Sequence, residues 1–115
     1  AVPTQVESVV GPLLDEFPAA SIALHFHDTR GTALANVLAA LQEGVAVVDS
    51  SAGGLGGCPY APGASGNLAT EDLLYMLHGM GVATGVDLAA LVDTGRWLAR
   101  LLGRPSGSKV GLAGP

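Results

Sequence analysis

The spacing of apolar residues along the chain predicts four helices. Within residues 32–43, Leu34, Val37, Leu38 and Leu41 recur at the i, i+3, i+4, i+7 spacing that forms one apolar helix face. Gly44 follows this segment and is expected to end it. By the same reasoning, the other three helices are predicted at about residues 5–17, 70–80 and 88–102.

Two short apolar runs without helical spacing predict β-strands at residues 21–27 and 45–49. The first contains Ile22, Ala23 and Leu24 in succession, a pattern typical of a parallel strand that is buried on both faces. The order helix, strand, helix, strand, helix, helix predicts an α/β fold with parallel strands joined by a crossover helix. Because two strands alone do not form a stable sheet, we expect the chain to be part of a larger α/β barrel or sheet.

Residues at the segment ends predict where the helices begin and end. Thr4 begins a capping-box pattern for the first helix, and Pro12 is expected to interrupt that helix. Thr70 and Asp87 are the predicted N-caps of the third and fourth helices. The tail, residues 106–115, is rich in glycine and is expected to be poorly fixed.

Charged residues are scarce, and the net charge is negative. The 115 residues are 49% hydrophobic and 13% charged, with a formal net charge of −5. Because an average globular domain has about 25% charged residues, this composition indicates segments that are buried on both sides. The absence of a basic stripe argues against a nucleic-acid partner, and no apolar run approaches the roughly 20 residues of a membrane span. A single cysteine excludes an internal disulfide and fits a reducing compartment.

A glycine-rich segment, residues 53–67, separates the second strand from the third helix. It contains six glycines in fifteen positions, and the only cysteine, Cys58. Long loops are uncommon in compact domains and are usually functional or disordered, and glycine lets the backbone approach a ligand closely. A dinucleotide fingerprint is excluded because Pro59 stands where the third glycine belongs. We therefore expect a loop that closes over a site and carries a thiol, the alternative being a small buried cysteine.

Two histidines lie at the end of the first predicted strand. Strand alternation places His25 and His27 on the same face, and the carboxyl ends of barrel strands are where active sites are built. Two imidazoles on one face can share a metal ion, the alternative being a hydrogen-bonded pair at a strand edge. Asn67 offers a carbonyl oxygen just after the glycines. Asp49 and Glu71 are interpreted from the residues alone as a turn cap and a helix first-turn acid.

Two motifs together resemble the 3-hydroxy-3-methylglutaryl-CoA lyases. The first begins at His25 and continues through His27 and Asp28; the second runs from Asp49 to Glu71 and includes GLGGCPY. GLGGCPY is highly specific for this family. The His-x-His-Asp element is shared with related metal-dependent aldolases and acyl-CoA Claisen-condensing synthases. The resemblance covers nearly the whole chain.

The resemblance implies a (β/α)8 TIM barrel that cleaves 3-hydroxy-3-methylglutaryl-CoA into acetyl-CoA and acetoacetate with Mg²⁺ or Mn²⁺. The implied site residues are His25, His27 and Asn67 as metal ligands, Cys58 and His25 as catalytic groups, Glu71 and Asp28 as supporting neighbours, and Gly56 and Gly57 in the substrate loop. The implied barrel section is the C-terminal part: two βα units with their preceding and C-terminal helices, residues 1–115 forming one partial domain. A full barrel needs about 250 residues, and the family's first-strand segment, with its metal-binding Asp and catalytic Arg, has no counterpart here.

The implied partners are an acyl-CoA substrate, the remainder of the barrel and further copies in a homo-oligomer. The implied location is the cytoplasm of a bacterium, which we favour, or the mitochondrial matrix of a eukaryote. Because of the missing segment, the isolated chain is expected to be inactive. Two alternatives stay open: another metal-dependent aldolase or acyl-CoA Claisen-type synthase of the same superfamily, and a non-catalytic association module that pairs through exposed apolar surface.

Overall fold

The computed structural model describes residues 1–57 and 66–115. In these residues the chain forms five α-helices and two β-strands. In chain order the elements are α1 (Pro3–Glu16), β1 (Ala23–His25), α2 (Ala33–Gln42), β2 (Val47–Asp49), α3 (Thr70–Gly79), α4 (Leu88–Leu102) and α5 (Lys109–Ala113). Among these helices, none has the length and apolar character needed to cross a membrane.

The two strands are adjacent and parallel, with α2 between them, as the apolar runs predict. The α/β class with two parallel strands and flanking helices is therefore confirmed. Each strand has only three residues, fewer than predicted, because the residues that flank the strands do not join the sheet. A single 3₁₀ turn, Ala19–Ser21, precedes β1, and His27 forms an isolated antiparallel bridge with Asn67 instead of extending the strand.

The two-stranded sheet has one covered face and one open face. Leu24 and Val48 are half-buried and pack against two apolar clusters. One cluster comprises Val6, Val10, Ile22, Ala40 and Val45, and the other comprises Ala33, Val37, Leu68 and Leu73. The alternate strand residues are exposed on the other face: Ala23, His25, Val47 and Asp49. A two-stranded sheet is only marginally stable by itself, and here the helices that pack on its covered face supply further apolar contacts.

The first helix begins at a different cap from the one predicted. Its N-cap is Val2, whose backbone N–H donates to Gln5 Oε1 at 3.0 Å, so the predicted Thr4 cap is wrong. Pro3 occupies the first helical position, where proline's fixed φ is already suitable and its missing N–H costs nothing. This residue moves the helix start ahead of Thr4.

The first helix also continues through Pro12, so the predicted interruption is wrong. Proline removes one backbone donor from a helix and normally kinks or breaks it. Val6 and Val10 are buried in the apolar cluster shared with α2. We infer that this packing offsets the lost hydrogen bond, because most helical stability in proteins comes from a buried face.

Of the two N-caps predicted for α3 and α4, only that of α4 is confirmed. Asp87 caps α4 as predicted, because its Oδ1 accepts from the Ala90 N–H at 3.0 Å. Thr70 does not cap α3: Ala69 is the N-cap, and the Thr70 hydroxyl lies 2.7 Å from Ser50 Oγ. The Thr70 hydroxyl therefore forms a hydrogen bond with a side chain outside the helix and does not cap α3.

The C-terminal segment, defined as residues 106–113, is firmly held, contrary to the expectation for this tail. Ser108 is fully buried, and its Oγ accepts from the Gly111 N–H at 2.8 Å. Asp72, in the first turn of α3, accepts from Ser108 Oγ at 2.7 Å and from the backbone N–H of Val110 at 2.9 Å. The glycine content of the tail gave no sign of this anchor, because its acceptor lies 36 residues earlier.

Helices α3 and α4 meet closely at Gly95. Gly95 is buried, and a Cβ atom at this position would overlap Glu71 Oε1. The absent side chain therefore makes room for a buried carboxylate.

Gly95→Ala is expected to lower the free energy of unfolding by about 1–3 kcal/mol, because overpacking displaces Glu71 or separates the helices. Urea denaturation measures the change. The matched control is Gly79→Ala in α3, where an added methyl meets no atom within 4 Å. Equal stability of the two variants would show that the contact at Gly95 relaxes without cost.

Candidate functional site

The carboxyl ends of the two strands bring His25 and Asp49 together. The strand register pairs these residues, and His25 Nδ1 lies 2.5 Å from Asp49 Oδ1. An ionised carboxylate only accepts hydrogen bonds, so this contact places a proton on Nδ1 and leaves Nε2 as the available nitrogen. The side chains are 54% and 67% exposed; the pair therefore orients the imidazole but contributes little to stability.

Asp49 is a site residue that the sequence reasoning missed, because it was interpreted as a turn cap. The available signal was its place at the end of the second strand. Parallel neighbours end at the same edge of a sheet, so Asp49 had to lie near the end of the first strand.

His27 lies on the same side as His25, as strand alternation predicts. The ring centroids are 5.0 Å apart and the ring planes are inclined by 67°. His27 Nδ1 is buried and has no hydrogen-bond partner in the described residues. An unsatisfied buried polar atom costs about 1–3 kcal/mol, so this nitrogen is suited to a ligand that would satisfy it.

Asn67 is brought against His27 by the isolated antiparallel bridge. Its Nδ2 donates to the Leu55 carbonyl at 2.8 Å. Because a carbonyl can only accept, the amide nitrogen has to face Leu55, and this fixes which way the amide points. Asn67 Oδ1 is also buried and without a hydrogen-bond partner in the described residues. Two buried polar atoms without a partner in the described residues therefore lie in residues that pair through the backbone.

The described arms of the glycine-rich segment are joined at Gly56. The Asn67 N–H donates to the Gly56 carbonyl at 3.1 Å. Gly56 has a φ of 100°, and a Cβ atom there would lie 2.7 Å from Asn67 Nδ2, so both the conformation and the contact require glycine. Gly56 and Gly57 are exposed. Cys58 lies outside the described residues, and its catalytic role stays a prediction.

Glu71 lies beneath the start of the glycine-rich segment. It is fully buried, and both carboxylate oxygens accept from the Gly53 N–H, at 2.9 and 2.8 Å. Gly53 belongs to a second 3₁₀ turn, Ala52–Gly54, which we call the loop base. The structure thus places Glu71 where it supports the loop base.

Asp28 joins several segments around the histidines. Its Oδ1 accepts from the Ala33 N–H at 3.1 Å, at the start of α2, and its Oδ2 lies 3.8 Å from Lys109 Nζ. Its own backbone N–H donates to the Gly66 carbonyl at 3.1 Å. Asp28 therefore connects the end of β1 with α2, with the far arm of the glycine-rich segment and with α5.

The donors brought together here fit a divalent cation as an incomplete ligand set. Among the described residues, no group of three or more His, Cys, Asp and Glu side chains could hold an ion. Asn67 adds an amide oxygen, so His25, His27 and Asn67 together offer two nitrogens and one oxygen. Such mixed donors suit Mn²⁺, or Mg²⁺ that retains water. A cavity of about 230 Å³ beside the two histidines leaves room for a small ligand.

Asp49→Asn is expected to shift the His25 ring proton from Nδ1 towards Nε2, because an amide no longer imposes a donor on Nδ1. Long-range ¹H–¹⁵N NMR of the imidazole reports this tautomer. Asp93→Asn is the control, since Asp93 is exposed on α4 and the change in side chain is the same. A His25 tautomer that is identical in both variants would contradict the orienting role of Asp49.

The chain matches the HMGL-like family over residues 1–98. It is 59% identical over 109 residues to hydroxymethylglutaryl-CoA lyase YngG of Bacillus subtilis, covering 95% of this chain and 36% of that protein. The human mitochondrial hydroxymethylglutaryl-CoA lyase is 55% identical over 111 residues, covering 96% and 34%. The (R)-citramalyl-CoA lyase of Chloroflexus aurantiacus is 50% identical over 115 residues, covering 100% and 36%.

Solved structures show the same similarity. The crystal structure of the Bacillus subtilis HMG-CoA lyase superposes with a TM-score of 0.95 at 57% identity, covering 98% of this chain and 38% of that one. An HMG-CoA lyase from Acinetobacter baumannii, solved in complex with coenzyme A and 3-methylmalate, gives a TM-score of 0.94 at 47% identity, covering 99% and 37%. The chain thus spans little more than a third of the length of these relatives.

Proposed function

The chain belongs to the HMGL-like family, and from this we propose that it forms the metal-binding section of a hydroxymethylglutaryl-CoA lyase. The proposed reaction is the cleavage of 3-hydroxy-3-methylglutaryl-CoA into acetyl-CoA and acetoacetate. The observation that carries the proposal is the pair of buried polar atoms without a partner in the described residues, His27 Nδ1 and Asn67 Oδ1, with the His25 ring 5.0 Å from the His27 ring. The section would be the C-terminal part of a (β/α)8 barrel, active only when the rest is present.

The proposed metal ligands are His25, His27 and Asn67, with Mg²⁺ or Mn²⁺ as the ion. A divalent cation bound here would polarise a carbonyl oxygen and make a hydroxyl proton easier to remove. Leu55 holds the Asn67 amide, and Asp49 holds the His25 ring. Such neighbours of a ligand fix its orientation and tautomer.

The contact with Asp49 limits what His25 can do at one time. With Nδ1 engaged by the carboxylate, only Nε2 is available to accept a proton or to bind an ion. The two roles proposed for His25, ligand and proton acceptor, therefore exclude each other at any one moment.

The proposed chemistry is a retro-Claisen cleavage. A base removes the proton of the tertiary hydroxyl, the oxygen forms the ketone of acetoacetate, and the breaking carbon–carbon bond leaves its electrons on the enolate of acetyl-CoA. Protonation of the enolate carbon then gives acetyl-CoA. We assign the first transfer to His25 Nε2, which would then be free of the ion while His27 and Asn67 hold it, and the second to the Cys58 thiol, because both steps need a positioned group that exchanges protons.

The proposed partners follow from the same reading. An acyl-CoA substrate is supported by the relative solved with coenzyme A and 3-methylmalate. The remainder of the barrel would cover the open face of the sheet, where Val47 is 47% exposed. A homo-oligomer of the complete enzyme is also proposed. The relatives include bacterial and mitochondrial proteins, and the proposed location is the cytoplasm of a bacterium, which we favour, or the mitochondrial matrix of a eukaryote.

A second candidate function is a lyase acting on a different acyl-CoA. The observation that favours it is the 50% identity to (R)-citramalyl-CoA lyase over the full chain. Because the proposed metal-binding residues serve the cleavage and not one particular acyl group, only assays with both substrates separate the two candidates.

His27→Ala is expected to weaken Mn²⁺ binding to this chain by more than about tenfold. Loss of a ligand should cost at least as much as loss of a group behind a ligand, which typically costs 10–100-fold. Calorimetry measures the affinity, and His78→Ala, at an exposed position on α3, is the control. Equal affinities in the two variants would exclude His27 as a ligand.

The isolated chain is expected to release no acetoacetate, because loss of one preorganised charge-stabilising group alone costs about 10²–10³-fold in rate. A chimera in which this chain replaces the matching 109 residues of the Bacillus subtilis relative should restore activity. In that chimera, Cys58→Ser should lower kcat with metal affinity unchanged, whereas Asp93→Asn should change neither.

Assays of the chimera with 3-hydroxy-3-methylglutaryl-CoA and (R)-citramalyl-CoA then compare the two candidate functions. A folded, metal-loaded chimera that cleaves neither substrate would refute the proposed function. Full turnover by the Cys58→Ser chimera would refute only the role of the thiol.

A further inference from the structure

Gly53 is held on both of its backbone polar groups. Its N–H donates to Glu71, and its carbonyl accepts from the Gly107 N–H at 2.9 Å. A Cβ atom at residue 107 would lie only 2.8 Å from the Gly53 carbonyl oxygen. The C-terminal segment therefore approaches the loop base as closely as it does because residue 107 is glycine.

Asp72 fixes the C-terminal segment that holds Gly53. Its Oδ1 accepts from Ser108 Oγ and from the Val110 N–H, and its Oδ2 lies 3.3 Å from the donating Lys109 N–H. Glu71 and Asp72 are consecutive and both are buried. Glu71 thus binds the loop base directly, and Asp72 binds the C-terminal segment that contacts the loop base.

The loop base leads directly to Leu55, whose carbonyl orients the Asn67 side chain. The Leu55 N–H donates to the Ala52 carbonyl at 3.3 Å, so Leu55 continues directly from the turn that contains Gly53. The Leu55 carbonyl then accepts from Asn67 Nδ2. Only two peptide units separate the residue held by Glu71 and Gly107 from the residue that orients the amide.

We propose that the C-terminal segment positions the Asn67 side chain: Asp72 holds the segment, Gly107 holds Gly53, and the turn at Gly53 sets the Leu55 carbonyl. Asp72 and Gly107 are then positioning residues for a metal ligand, although neither belongs to the His25–His27–Asn67 set. The value of this arrangement for catalysis rests on the proposed function, whereas the coupling between the segment and the amide does not.

The test uses the 115-residue chain with Gly107→Ala and Asp72→Asn. The added methyl displaces the Gly53 carbonyl, and the added amide presents N–H groups to the Lys109 N–H. The matched controls are Gly79→Ala, which meets no atom within 4 Å, and Asp93→Asn at an exposed position. Two quantities are measured: the chemical shifts and hydrogen exchange of the Asn67 side-chain amide by NMR, and the affinity for Mn²⁺.

In both variants we expect the Asn67 amide signals to move and to exchange faster, and Mn²⁺ affinity to fall by about 10–100-fold, as is typical when a group behind a ligand is lost. The α2 signals of the two variants should match those of the parent chain. Both control variants should match the parent chain in all signals, without and with metal. A variant that does not fold is replaced by Ser108→Ala, which removes the hydroxyl that donates to Asp72 and accepts from the Gly111 N–H.

Unchanged Asn67 amide signals in folded variants whose Gly53 or Ser108 signals have moved would overturn the positioning role. If the parent chain binds no Mn²⁺, the metal-binding part of the proposed function fails, and the Asn67 signals alone decide the positioning role. The two failures are therefore distinguishable.

Discussion

The buried first turn of α3 is the constraint on which the irregular parts of the structure depend. Glu71 is fully buried and Asp72 is 7% exposed, and buried carboxylates are costly unless hydrogen bonds satisfy them. Their donors come from the backbone of Gly53 and from the Ser108 region. Gly53, at the start of one glycine-rich segment, and the C-terminal segment are thus held in place through the donors they supply, and Gly95 leaves the space that the buried carboxylate of Glu71 needs.

The candidate site is connected to this first turn through Gly53, Leu55 and Asn67. Parallel pairing brings His25 beside Asp49, and the antiparallel bridge brings Asn67 against His27. In the described residues, three buried side-chain atoms lack a hydrogen-bond partner: His27 Nδ1, Asn67 Oδ1 and Asn36 Oδ1. Most buried polar atoms in folded proteins have partners, so the two of these atoms that lie on paired backbone positions, in His27 and Asn67, mark a ligand site more clearly than the residue types alone.

The open face of the sheet shows how the site and the rest of the protein are related. His25 and Asp49 lie on that face with Ala23 and Val47. In a closed barrel, alternate strand residues point inward, so additional strands would surround the histidines with protein. The chain supplies the backbone geometry of the site, while the surroundings of its exposed groups depend on what packs there.

The sequence by itself determined the features that depend on neighbours along the chain. The spacing of Leu34, Val37 and Leu41 located α2, Asp87 capped α4 as predicted, and the order of apolar runs gave the parallel strands. The shared face of the two histidines also followed, because strand alternation is local.

Tertiary structure alone decided the features that depend on distant partners. Packing kept α1 helical through Pro12, and Asp72 anchored a tail whose composition suggested little order. Asp49 became the partner of His25 through strand register. A hydrogen bond between residues 20 to 40 positions apart forms only when the fold brings both groups together. Whether a buried atom lacks a partner can likewise be seen only once all of its neighbours are placed. The orientation of the Asn67 amide is therefore a property of the folded chain, although the residue itself was visible in the sequence.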